Sequence, residues 1–116
     1  MLNDLEVRAR QAPPMVVLDL HGDVTAAAQE PLMEAYIQAA NQDVRTILLN
    51  FEAVDYLNSG GIAAVIALIS RARQSDQRLF LTGLTPHYQL IFDIMGLTTY
   101  APLFESEDAA RASLES

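Results

Sequence analysis

An α/β fold built on a mixed sheet of about five strands and about four helices is the architecture this sequence predicts. Three observations carry that reading. Short β-type runs alternate with longer amphipathic segments. The first two runs are separated by so few residues that they must pair antiparallel. A later run, residues 46–51, is apolar almost without a break, as in a central strand buried on both faces. With 116 residues, of which 51% are hydrophobic, the chain fits a single domain, 1–116, whose core needs neither disulfide nor metal.

The elements follow in order. Residues 5–9 alternate weakly and residues 15–20 more strongly, with Gln11, Ala12, Pro13 and Pro14 as the turn between them. His21, Gly22 and Asp23 close the second strand. Asp23 or Thr25 starts a helical region reaching Ala40, and its regular part begins near Pro31, since proline fits only the first turn. Leu32, Tyr36 and Ala39 or Ala40 form its buried stripe. Asn41, Gln42 and Asp43 make a polar turn before the strand at 46–51. The second helix follows Asn58, Ser59, Gly60 and Gly61 and runs to about Gln74. Ile62, Val65, Ile66 and Ile69 recur at helical spacing there, and Ala63, Ala64 and Ala67 keep another side thin. Residues 78–82 make a fourth strand. Thr85 and Pro86 then open a helix that Gly96 ends in the left-handed conformation, with Leu97 packing back. A short strand is expected within 100–104, and Ser106, Glu107 and Asp108 cap a final helix, with acids at its positive end.

Composition excludes several chemistries. There is no cysteine, so thiol nucleophiles, disulfides and cysteine-ligated zinc are absent. All seven basic residues are arginine, which removes Schiff-base chemistry and the phosphate-loop lysine. A net charge of −8 repels phosphate backbones, so no nucleic-acid partner is expected. The longest apolar run, residues 62–69, is far short of the roughly 20 residues of a membrane span, and no membrane insertion is expected. The opening residues show neither a basic region nor an apolar signal core. A cytoplasmic location is the expectation.

The candidate site runs from Asp55 through Asn58, Ser59, Gly60, Gly61 and Ile62, between a buried strand and an apolar helix. Sites in α/β sheets gather at the carboxyl ends of strands, where helix N-termini aim free amides outward. Ser59 either caps the helix, with the glycines only making the turn, or stands as a hydroxyl those glycines leave open to a large visitor. The other constellations are weaker. His21 and His87 lack a third ligand at metal spacing, so no metal is expected. A Ser59–His21–Asp23 triad has no nucleophile elbow around it, and Asp23 with Asp55 reads as solvated acids rather than a cation site.

The stretch from Leu49 to Ile62 resembles the signature of the STAS domain (sulphate transporter and anti-sigma factor antagonist). In that signature a buried strand leads through an aromatic-apolar pair to Asp-Ser-Ser-Gly-Leu. The stretch from Leu90 to Leu97 resembles the family's Leu-Phe-Asp-x-x-Gly-Leu. Leu20, His21, Gly22, Asp23 and Val24 resemble its Gly-Glu-Leu turn. The likeness spans essentially the whole chain and implies a STAS-type sheet.

It also implies an anti-sigma factor antagonist, a bacterial partner-switching protein rather than an enzyme, working without a cofactor. Such a protein captures an anti-sigma serine kinase when unphosphorylated and releases it when phosphorylated, and a serine phosphatase resets the cycle. The phosphoacceptor position is Ser59. Gly22, Asp23, Val24, Thr25, Asp55, Asn58, Ser59, Gly60, Gly61 and Ile62 are the implied partner surface, on a monomer or weak dimer. Three residues depart from the pattern: Asn58 and Thr25 replace the usual aspartates, and Gly60 replaces the second serine. The two alternatives are a small STAS subunit docking on a transporter ATPase component and a STAS sensor of a small ligand or nucleotide.

Overall fold

The computed structural model describes residues 4–41 and 43–115. Five strands form one sheet in the order β1-β2-β3-β4-β5: β1 (Glu6–Ala12), β2 (Met15–Val24), β3 (Thr46–Leu57), β4 (Arg78–Thr82) and β5 (Leu103–Phe104). Only β1 and β2 are antiparallel; the other neighbours are parallel. The helices are α1 (Gln29–Ala39), α2 (Ser59–Gln74), α3 (Pro86–Ile94) and α4 (Glu107–Glu115), with 3-10 turns at Ala26–Ala28 and Leu97–Thr99. This is the mixed sheet with four helices that the alternation of segments predicts.

Alternating side chains divide the core between the two faces of the sheet. Leu18, Leu20, Ile47, Leu49, Leu79 and Leu81 point to the face closed by α1, α2 and α3. Met15, Val17, Leu48 and Phe80 point to the other, where Ala110 and Leu114 of α4 cover them. Thr46–Leu57 begins fully buried, as expected of the central strand.

Several boundaries differ from expectation. The first hairpin turn is only Pro13 and Pro14, because Gln11 and Ala12 extend β1 to pair with Val16 and Met15. β2 does not close at His21; it continues to Val24 through two register shifts against β3, which turn the strand end without breaking the pairing. β3 likewise runs on to Leu57, because that extension of β2 gives it a partner. The stripe of α2 is rotated from the expected phase: Gly61, Ala64, Val65, Leu68, Ile69 and Ala72 are buried, whereas Ile66 is exposed. Of the polar turn, Gln42 lies outside the described residues, and Asn41 Oδ1 accepts from the Asp43 amide at 2.9 Å. Thr85 caps α3, and Gly96 ends it at φ 76° with Leu97 buried behind it, as predicted.

Candidate functional site

The parallel strands β2 and β3 end side by side, at Val24 and Leu57, and a single residue, Asn58, separates Leu57 from the start of α2. Asn58 is the cap: its backbone is extended and its side-chain oxygen accepts from the Gly61 amide at 3.0 Å. Ser59 is therefore the first residue of the helix rather than its cap, and its side chain is exposed. Among the described residues its hydroxyl takes no hydrogen bond. An amide side chain in place of a carboxylate thus does the capping without adding charge.

The two glycines have a tertiary reason that differs from the expected one. A Cβ on Gly61 would stand 1.9 Å from the Val24 carbonyl oxygen, and one on Gly60 would stand 2.8 Å from the Ala26 amide nitrogen. The first turn of α2 is pressed against the end of β2 and the 3-10 turn that follows. The glycines permit that approach; opening space around Ser59 is not their main effect. Asn58 N–H donates to Val24 O at 3.3 Å across the same junction. From α3, the Tyr88 hydroxyl donates to the Leu57 carbonyl at 2.7 Å. Ser59 thus rides on backbone fixed from two sides.

The expected partner surface is only partly a surface. Gly22, Asp23 and Val24 are strand residues and buried, not an exposed loop. Asp23 is partnered within the protein, so it is no solvated acid. Thr25 is half-buried and caps the 3-10 turn through its hydroxyl, which accepts from Ala27 N–H. Asp55 is exposed but belongs to β3, and Gly61 is buried. The side chains that reach solvent around Ser59 are Asp55, Tyr56 and Ile62, with Ala63 and Ile66 further along α2.

Several large apolar residues are exposed that their spacing in the sequence does not mark as surface. Tyr56, Ile66, Leu90 and Ile94 stand in solvent, Ile94 at 75%. A signal for α3 was available: Leu90, Ile91, Phe92 and Ile94 are more apolar residues than one face of a nine-residue helix can bury, and only Phe92 is buried.

The shape of the site decides what it can hold. The cleft beside it, between Tyr56, Leu57, Leu84, Thr85 and Tyr88, has a volume of about 90 Å³, well below the roughly 300–1,000 Å³ of small-molecule sites. The larger groove of about 550 Å³, near Pro14, Arg45, Thr46 and Arg78, lies at the opposite end of the strands. Electrostatically, the first turn of α2 carries no acid of its own to meet its positive end. The arrangement presents an exposed hydroxyl on backbone held from two sides, beside a cleft too small for a small-molecule ligand, which suits recognition by a protein.

Comparison with known proteins agrees with this geometry. The family model described as "Mlab, STAS domain" matches residues 7–105. BtrV of Bordetella bronchiseptica, a candidate anti-sigma factor antagonist, is 29% identical over 101 residues, covering 87% of each chain. The fold superposes on the anti-sigma factor antagonist SpoIIAA in its unphosphorylated form with a TM-score of 0.73 at 22% identity, covering 96% of this chain and 98% of that one. Bacillus SpoIIAA in the phosphorylated form gives a TM-score of 0.65 at 22% identity, covering 93% and 99%. With residues 7–105 matched by the family model, the chain belongs to the STAS domain family.

Proposed function

We propose that this protein is an anti-sigma factor antagonist, a single domain over 1–116 that binds and does not catalyse. Its unphosphorylated form captures an anti-sigma serine kinase, phosphate on Ser59 releases it, and a serine phosphatase restores binding. The observation that carries the reading is the division of labour between Asn58 and Ser59. Because Asn58 caps α2, the exposed Ser59 hydroxyl is left to a partner. The names of the relatives support the same reading. A cytoplasmic location fits such a partner, and among the described residues no helix is long and apolar enough to cross a membrane.

A phosphate at Ser59 adds about −1.5 to −2 charges beside the exposed Asp55. In water that charge is tolerated, but inside a dry interface it stays unpaired and costly. The experiment is incubation with ATP and the cognate kinase, read by intact mass and peptide mapping. One phosphate is expected, on Ser59 and absent from Ser59→Ala. By calorimetry against the same kinase, Ser59→Asp should weaken binding by about 2 kcal/mol or more, with Ser59→Ala near wild type. Phosphate on Thr46, Thr82 or Thr85 instead would overturn the assignment. No phosphate at all, with equal affinities for both variants, would favour a subunit docking on a transporter ATPase.

A further inference from the structure

We propose that the open edge of β1 is a self-association surface, on which two copies pair β1 antiparallel about a two-fold axis at Val7. β1 is the outermost strand of the sheet. It pairs with β2 without a register shift from Glu6 to Ala12, so no bulge or internal proline blunts its outer side. Every second residue of such a strand points its amide and carbonyl away from its neighbour. The opposite edge, β5, is only two residues long.

The sequence along this edge selects one register. A two-fold axis normal to the sheet keeps each side chain on its own face, so residues of like parity oppose each other. With the axis at Val7, Glu6 faces Arg8 of the second copy, Leu5 faces Ala9, and Asp4 faces Arg10, each pair occurring twice. Residues 4–10 thus read as acids before Val7 and arginines after it. Every neighbouring register juxtaposes like charges: Glu6 on Glu6, Arg8 on Arg8, Arg8 on Arg10, or Arg10 on Arg10. The deciding pair is Glu6 with Arg8, because Arg10 is already held by Asp19 and Glu107. Glu6 and Arg8 lie 3.9 Å apart within the strand, with side chains 66% and 82% exposed, and are free to re-pair across the axis.

The other face of the edge also fits a second copy. Val7 and Leu5 are partly buried against the core; Val7 would meet its counterpart on the axis, with Leu5 against Ala9 on either side. A groove of about 330 Å³ runs along this side between β1 and α1, with Val7, Ala9, Ala35 and Ala39 in its lining beside the polar Gln11, Gln38 and Asn41. The chain as a whole carries −8, which opposes self-association elsewhere. Along β1, Arg8 balances Glu6 and Arg10 is matched by Asp19 and Glu107, so this edge carries no excess of acids and that repulsion is weaker there. None of these residues belongs to the Ser59 site, so this inference stands apart from the proposed function.

The test is sedimentation equilibrium of the full chain from about 1 μM to 1 mM, with circular dichroism confirming that each variant is folded. Wild type should approach twice the 12.7 kDa monomer mass at the upper end. Glu6→Arg and Arg8→Glu, which each place like charges across the axis, should raise the dimer dissociation constant about tenfold or more. The double exchange Glu6→Arg with Arg8→Glu should return it to within about threefold of wild type. A wild-type chain that remains monomeric throughout overturns the proposal. So does a dimer indifferent to both single substitutions, a double exchange that fails to restore pairing, or a dimer lost instead through Ile94→Ser on α3.

Discussion

On one face of the sheet, three helices close over a cluster running from Leu18 and Leu20 to Phe92 and Leu97. On the other, the single short helix α4 closes over Met15, Val17, Leu48 and Phe80. The first face is fixed by apolar volume, with few polar links such as Tyr36 to Gln77 at 2.6 Å. The second is pinned by charge. Arg10 binds both carboxylate oxygens of Asp19 and reaches Glu107 at 2.7 Å, Asn50 supports Asp19 at 2.9 Å, and Arg111 joins Glu107 at 3.2 Å. The Ser59 site stands on the first kind of foundation. Its geometry should therefore answer to added atoms and ignore pH, whereas the attachment of α4 should do the reverse.

Gly61→Ala tests the steric half of that contrast with the largest expected effect. The new methyl meets backbone rather than a flexible side chain, 1.9 Å from Val24 O, so β2 and α2 must part. Overpacking of this kind costs about 3 kcal/mol, readable as a lower urea midpoint. The loss should exceed the gain of about 1 kcal/mol that alanine brings to a helix interior. An unchanged midpoint would mean that the end of β2 yields easily, and the contrast between the faces would fail.

Arg10→Ala tests the charged half. Without the guanidinium, Asp19 and Glu107 face each other, and about 1–2 kcal/mol of stability should be lost. The pH dependence has a definite sign. Hydrogen bonds from Arg10 hold both carboxyls below their ordinary values of 3.8 for Asp19 and 4.5 for Glu107. Their contribution is complete above those unfolded values and disappears as pH falls through the lower folded ones. Wild-type stability should be flat near neutrality and decline below about pH 4.5, with a shallower decline in Arg10→Ala. Equal acid slopes in the two proteins would remove Arg10 from its proposed role.

These two regions also differ in how far the sequence reveals them. The strand and helix succession was legible because each segment carries its own period, and Thr85, Pro86 and Gly96 punctuate α3 by local chemistry alone. Gly60 and Gly61 were visible as glycines, but their reason is Val24 and Ala26, which are distant in sequence and adjacent only once β2 and α2 meet. The continuation of β3 through Asp55 and Tyr56 was hidden because polar residues there interrupt the apolar run; the extended β2 supplies the partner that keeps them in the sheet. The phase of α2 is not legible from its large apolar residues: Ile66 shares their spacing but is exposed, and small Gly61, Ala64 and Ala72 hold buried positions instead. The Arg10–Asp19–Glu107 cluster joins residues 97 apart, and no local pattern announces it.

Asn58→Ala separates the cap from the hydroxyl beside it. Removing the acceptor of the Gly61 amide should cost about 1 kcal/mol, while Ser59→Ala should leave thermal stability within about 0.5 kcal/mol of wild type. A loss at Ser59→Ala matching that at Asn58→Ala would mean that the two side chains share the cap. It would also withdraw the argument that the serine is spare.

The smallest effect with a definite sign, and one that opposes the rest, is that of Ser59→Asp on stability. The start of α2 has no acid in its first turn, whereas α4 already has Glu107 and Asp108 in its own. A carboxylate at Ser59 would meet that helix terminus and stabilise the fold by about 0.3–1 kcal/mol at low ionic strength. That gain should fade with added salt, since the side chain is exposed and its interaction is screened. Thermal unfolding of Ser59→Asp and wild type at low and high salt measures the difference directly. A destabilised variant would mean that Asp55 and its acidic neighbours outweigh the helix terminus, and that phosphate would strain the fold as well as block the partner. A modest, salt-sensitive gain would mean that charge at this position leaves the packed backbone beneath it intact and acts on binding alone.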